Sequence, residues 1–173
     1  MALRIIRTEE DPVLKKISKP ITDFNDHIKT LLDDMRDTLL DSGGVGLAAP
    51  QVGALRRVIV VMDTNMEDLS PEEQIIELIN PTIISCDGEQ SGPEGCLSIP
   101  GQYGIVRRPD TVTVSAYDRD GNQFEVTGTG LTARAFCHEI DHLDGHLYTE
   151  FVERMLTEEE IEQLQQEDED TEE

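Results

Sequence analysis

No stretch of this 173-residue chain approaches the ~20 consecutive apolar residues that a membrane span requires, so no membrane partner is expected. Met1 to Arg7 lacks the apolar run of a signal peptide, which makes the cytoplasm the expected compartment. Cysteine is scarce: the three are Cys86, Cys96 and Cys137. An odd, low count argues against a disulfide framework and leaves each thiol as a small buried apolar group, a ligand or a nucleophile. Basic residues are few, 14 against 37 acids, for a formal net charge of −23. Ten of the acids fall in 157–173, which has no Lys or Arg, and the rest of the chain still carries 27 acids to 14 bases. Such a field repels polyphosphates and argues against free nucleic acid as a partner. There is no internal repeat.

What is present is one domain's worth of chain. A chain near 150 residues hides roughly 70% of its unfolded surface, enough for a real core. Phe24, Ile28, Leu31, Leu32, Met35, Leu39 and Leu40 follow helical spacing, and Asp41-Ser42-Gly43-Gly44 ends that helix. Arg57 to Met62 is a β-branched run of strand length, and Asn65 to Glu73 reads as a polar loop. Glu77 to Ser85 is a second strand, with Pro81 at a bend or edge. Asp87 to Tyr103, rich in Gly and Pro, is expected to be irregular. Thr111 to Tyr117 and Gln123 to Thr127 form a hairpin about the turn Asp118 to Gly121. A helix runs from about Leu131 to Leu143, with Gly145 as its stop. Thr157 to Glu160 fits a capping box opening a short final helix, and Glu167 to Glu173 is expected to be disordered. The order predicts a single α+β domain over 1–156, with mixed or antiparallel strands around a central helix, followed by an acidic segment, 157–173.

That central helix carries His138-Glu139-Ile140-Asp141-His142. Residues four apart on a helix are neighbours, so both imidazoles point the same way. Glu139, one step round, reaches a metal-bound water without being a third ligand. The pattern points to a metal-dependent hydrolase with Glu139 as general base. A catalytic ion of this kind takes a third protein ligand and keeps one position open. His146 extends the stripe but lies ~12 Å from His138 along the axis, too far for a shared ion, and reads as a surface histidine. Cys137 is ~100° round the helix from His138 and reads as core. Cys86 follows an apolar strand and reads as core or ligand, whereas Cys96, in an irregular stretch, is the better-placed thiolate. Gly44 to Gln51 reads either as a tight packed turn or as a loop whose backbone approaches substrate, with Gln51 donating to an oxyanion; the segment alone does not decide. Arg134, one turn before His138, is either a pocket border or a surface ion pair.

Taken together, Gly44-Val45-Gly46-Leu47-Ala48-Ala49-Pro50-Gln51, Glu94-Gly95-Cys96-Leu97-Ser98 and His138 to His142 resemble, in that order, the marks of the peptide deformylases. Ile79-Asn80-Pro81 and Val106 to Gly121 are similar as well, so the resemblance covers about Ile5 to Glu153. It implies Cys96 as third ligand beside His138 and His142, and Glu139 as acid and base. It further implies Gln51 and the Leu97 N–H as oxyanion donors, Val45 and Gly46 as holders of the substrate backbone, and Leu131 and Ala135 as walls of a methionine pocket. The implied cofactor is one divalent ion, Fe2+ in the cell, with Zn2+ or Ni2+ in isolated protein. The implied substrates are N-formylmethionyl nascent peptides. Two features depart from the family pattern. Cys137 stands where the family commonly has Gln, and the C-terminal segment is acidic where some relatives carry a basic helix suited to the ribosome. Transient ribosome contact is therefore not expected through this end. A metallopeptidase would share the histidine motif without needing 94–98, and a non-catalytic metal-binding relative would tend to lose Glu139 or Gln51.

Overall fold

The computed structural model describes residues 2–172. Helices α1 (Asp26–Ser42), α2 (Pro71–Gln74), α3 (Leu131–Leu143) and α4 (Glu158–Glu172) are interspersed, in the chain order α1-β1-β2-α2-β3-β4-β5-β6-β7-α3-β8-α4, with strands β1 (Gly46–Ala48), β2 (Val58–Met62), β3 (Ile75–Asp87), β4 (Gln90–Cys96), β5 (Ile99–Arg108), β6 (Thr111–Tyr117), β7 (Gln123–Thr129) and β8 (Arg154–Met155). One five-stranded sheet has the order β1-β2-β3-β6-β7, and a second has the order β4-β5-β8. Every pairing between these strands is antiparallel.

The five-stranded sheet is covered on both faces at β2, which is why β2 is an uninterrupted β-branched run, whereas β6 and β7 keep one face open and alternate. Val58 and Val60 face Leu32, Met35 and Leu39 of α1. Ile59 and Val61 face Ala133, Phe136 and Ile140 of α3. α1 begins where the Asn25 side chain accepts the Ile28 N–H and ends at Gly43, which takes the left-handed backbone at φ 72. Pro81 falls in a register shift of β3, and the preceding Asn80 adopts φ 51 while its amide clamps Ile21 from both sides. Thus α3 is enclosed, with 11 of its 13 residues buried, and whatever it carries is shielded from bulk water.

Three expectations differ. Residues 87–103 are not irregular but largely the β4–β5 hairpin, whose outer edge pairs with β8. The glycines there serve close packing: a Cβ on Gly95 would meet the Tyr103 ring at 2.6 Å, and one on Gly104 would collide with Val152. The polar loop at 65–73 closes with the single turn of α2, capped by Ser70. The final helix runs on through Glu172, past Glu167 where disorder was expected; Glu173 lies outside the described residues.

Candidate active site

α3 presents His138 and His142 one turn apart on one face, with ring centroids 5.0 Å apart and edge to face. The third group arrives from β4. A register shift between Glu94 and Cys96 breaks the regular ladder at the strand's end, where Cys96 Sγ lies 3.4 Å from His142 Nε2. One donor atom from each of Cys96, His138 and His142 falls within 4.8 Å of the others. Glu139 is 4% exposed, and its Oε1 has no hydrogen-bond partner and stands 4.0 Å from His142 Nε2. A thiolate and two imidazoles beside an unpartnered buried carboxylate oxygen fit one divalent ion with an open position for water.

The imidazole of His138 is aimed by its surroundings. Its Nδ1 meets Glu94 Oε2 at 2.8 Å, and Tyr148 stacks on the ring, so Nε2 is left for a ligand. Glu94 is 5% exposed yet carries full partners. Arg108 binds it through two bonds of 2.7 and 3.1 Å, and Arg134 Nη1 adds a third at 2.9 Å. Burial pushes the Glu94 carboxyl up, but the bonds from His138 and Arg108 outweigh it and hold it at about 2. Glu139 has no such support, and burial pushes its carboxyl up to about 7. Burial pulls the His138 imidazolium down, and the charges of Glu139, Cys96 and Glu94 more than reverse it. Burial pulls His142 down, and the neighbouring positive His138 adds to it.

The other expected residues meet in one cleft of about 610 Å³. Val45 and Gly46 line one wall, Cys96 and Leu97 another, and Leu131, Arg134 and Ala135 a third. Gln51 also borders the cleft, 1% exposed. Its Oε1 accepts the Ala48 N–H at 2.9 Å, which forces Nε2 toward Ser98 Oγ at 3.1 Å and Cys96 Sγ at 3.6 Å. Arg134 borders the cleft, but its ion pair is buried rather than on the surface. Cys86 is exposed rather than core. Cys137 packs in the cluster between sheet and α3, and burial pushes its thiol up to about 11. His146 is exposed and pairs with Glu150.

Glu94, Arg108 and Ser98 carried no role in the sequence reading. One signal was available: a ligand histidine needs a partner for its second nitrogen, and an acid flanked by Pro93 and Gly95, two residues from a candidate thiolate, can supply it.

The sequence profile of the polypeptide deformylase family matches residues 3–158. The chain is 60% identical over 152 residues to a peptide deformylase of Lachnoclostridium phytofermentans, covering 88% of this chain and 90% of that one. It is 53% identical over 162 residues to one of Caldanaerobacter subterraneus subsp. tengcongensis, covering 94% and 97%. Among solved structures, a peptide deformylase from Legionella pneumophila superposes with a TM-score of 0.80 at 43% identity, covering 87% of this chain and 86% of that one. The enzyme from Thermotoga maritima gives 0.79 at 35%, covering 87% and 97%.

Proposed function

The chain belongs to the peptide deformylase family, and from that premise we propose that it removes the N-formyl group from the formylmethionine of newly made polypeptides, releasing formate and a free N-terminus. The observation that carries this reading is the meeting of Cys96, His138 and His142 beside the unpartnered Glu139 oxygen in a cleft. These three residues would hold one divalent ion, Fe2+ in the cell and Zn2+ or Ni2+ in isolated protein, which supplies Lewis acidity and makes water a nucleophile near neutral pH.

The protein's own groups do the rest. Glu139 takes the proton of the attacking water and returns it to the leaving amine. The developing oxyanion meets the Leu97 N–H and the Gln51 amide, whose orientation Ala48 already fixes. Val45 and Gly46, at the free edge of the five-stranded sheet, pair with the substrate backbone. Leu131 and Ala135 wall the methionine side chain, and Arg134, held by Glu94 and the Val106 carbonyl, forms a rigid border. Residues 1–156 constitute the catalytic unit and 157–173 an acidic appendage. The enzyme works in the cytoplasm, and any ribosome contact uses surfaces other than that appendage.

The test is formate release from formyl-Met-Ala-Ser by protein purified without oxygen, with metal assayed in the same sample. Release that depends on metal and stops on chelation is the expected result. One metal per chain without release would point to a non-catalytic relative, and cleavage of internal peptide bonds to a metallopeptidase.

A further inference from the structure

The acidic C-terminal helix has so far no part in the chemistry, yet it reaches the cleft. Ile161, Leu164 and Asp168 follow i, i+3, i+7 and share one face of α4. Ile161 and Leu164 are half-buried, while Glu162, on another side, is exposed. The helix is anchored at its start. Thr157 Oγ1 accepts the Glu160 N–H, and the Glu160 carboxylate takes two bonds, of 2.8 and 2.9 Å, from the Arg154 guanidinium. Gln163 and Leu164 border a small groove with Pro93 of β4 and Ile105 of β5. One turn further on, Asp168 lines the same 610 Å³ cleft as Glu139.

The other charges on that cleft are committed. Glu94 and Arg134 pair at 2.9 Å, and His138 is bound to Glu94. Glu139 is the group whose buried, unpartnered oxygen marks the cleft as the seat of a polar ligand. Among the described residues no cation pairs with Asp168, which leaves its carboxylate as a negative charge facing whatever extends out of the cleft. A substrate peptide enters by its formylated end, so its following residues lie toward the rim.

We propose that Asp168 determines specificity, making the cleft favour formylated peptides with a cationic side chain soon after the formylmethionine and disfavour those with an acidic one. This rests on the deformylase reading for the substrate, though not for the charge preference itself. The contact is solvated, so its effect is moderate and salt-sensitive. Opposite unit charges in water-like surroundings gain about three- to fivefold, like charges lose as much, and the basic-to-acidic ratio comes to roughly tenfold at low salt.

The experiment uses the full chain and the peptides formyl-Met-Lys-Ser and formyl-Met-Glu-Ser, with formyl-Met-Ala-Ser as neutral reference. It reads kcat/KM by formate release and affinity by calorimetry, at low and high salt. Expected is a roughly tenfold preference for the lysine peptide that collapses at high salt, falls to near unity in Asp168→Asn and inverts in Asp168→Lys. Glu162→Gln, which removes the same charge from another side of α4, leaves the ratio in place. Equal handling of the two charged peptides at low salt, or the same loss of preference in Glu162→Gln as in Asp168→Asn, overturns the proposal. A charge preference in binding without formate release would uphold Asp168 and sink the deformylase reading instead.

Discussion

Replacing Gly46 by alanine isolates the placement of the proton carrier. Gly46 opens β1 and pairs with Val61. It is not among the glycines with positive φ, so alanine meets no backbone penalty there. Its Cβ, however, would stand 2.5 Å from Glu139 Oε2, 2.9 Å from Cγ and 3.0 Å from Cδ. Carbon contacts relax only at about 3.5 Å, so the carboxylate must retreat by about 1 Å. Misplacing a catalytic group by that much costs about 10²-fold, or ~2.7 kcal/mol of barrier. Gly46→Ala should therefore lower kcat about a hundredfold while retaining wild-type metal content. The fold should hold with a modest loss of stability, since crowding costs about 1–3 kcal/mol and the stiffer unfolded chain returns about 0.4–1 kcal/mol of it. The assay is steady-state formate release, with metal per chain and thermal melting measured on the same preparation. A folded, metal-replete variant with unchanged kcat would refute the reasoning. A rise confined to KM would assign the contact to the substrate backbone rather than to Glu139.

Glu94→Gln strips the charge shared by Arg108, Arg134 and His138, leaving buried guanidinium groups short of a partner. Stability should fall by ~3–5 kcal/mol and metal affinity by about 10–100-fold, read by melting and metal titration; no change in either would dismiss Glu94 as the positioning group. In metal-free protein, Glu139 sits at about 7 in the fold against an ordinary 4.5, so its contribution is present at low pH and is lost as pH rises through 7. His138, also raised, acts in the same sense, while His142, kept neutral by burial, opposes both only below its ordinary 6.5. The melting temperature of metal-free protein should thus decline from pH 6.5 to 8, and a rise over that interval would contradict the assignment. With burial holding the Cys137 thiol near 11, iodoacetamide at pH 7.5 should label exposed Cys86 well before Cys137, as peptide mapping would show.

Much of the scaffold was legible in local pattern. The apolar spacing of α1, the bounds of α3 and the β6–β7 hairpin each depend on residues within one or two turns of each other, and the structure has them close to where periodicity puts them. The β4–β5 hairpin was not legible. Its glycines and proline mimic a loop, and what makes it a sheet is the pairing of β4 with β5, from Gln90 with Arg108 to Cys96 with Ile99, extended at the edge by Gly104 with Met155. α4 was legible at its cap, whereas its continuation through Glu172 was not, because a run of like charges reads as disorder.

The sequence by itself determined that two imidazoles and a carboxylate share one turn of one helix, since i, i+4 proximity follows from helical geometry alone. It also marked Arg57 to Met62 as a strand, though not that α3 would lie enclosed against it. The residue pattern favoured Cys96 over Cys86 and the resemblance implied it, but only the tertiary structure brings the first within 3.4 Å of His142 and leaves the second exposed. It alone gave Glu94 to His138 across 44 residues, turned Gln51 toward Cys96, and set Asp168 on the wall of the cleft. Contacts between residues so distant in sequence depend on how sheets and helices pack, and no local periodicity encodes that packing.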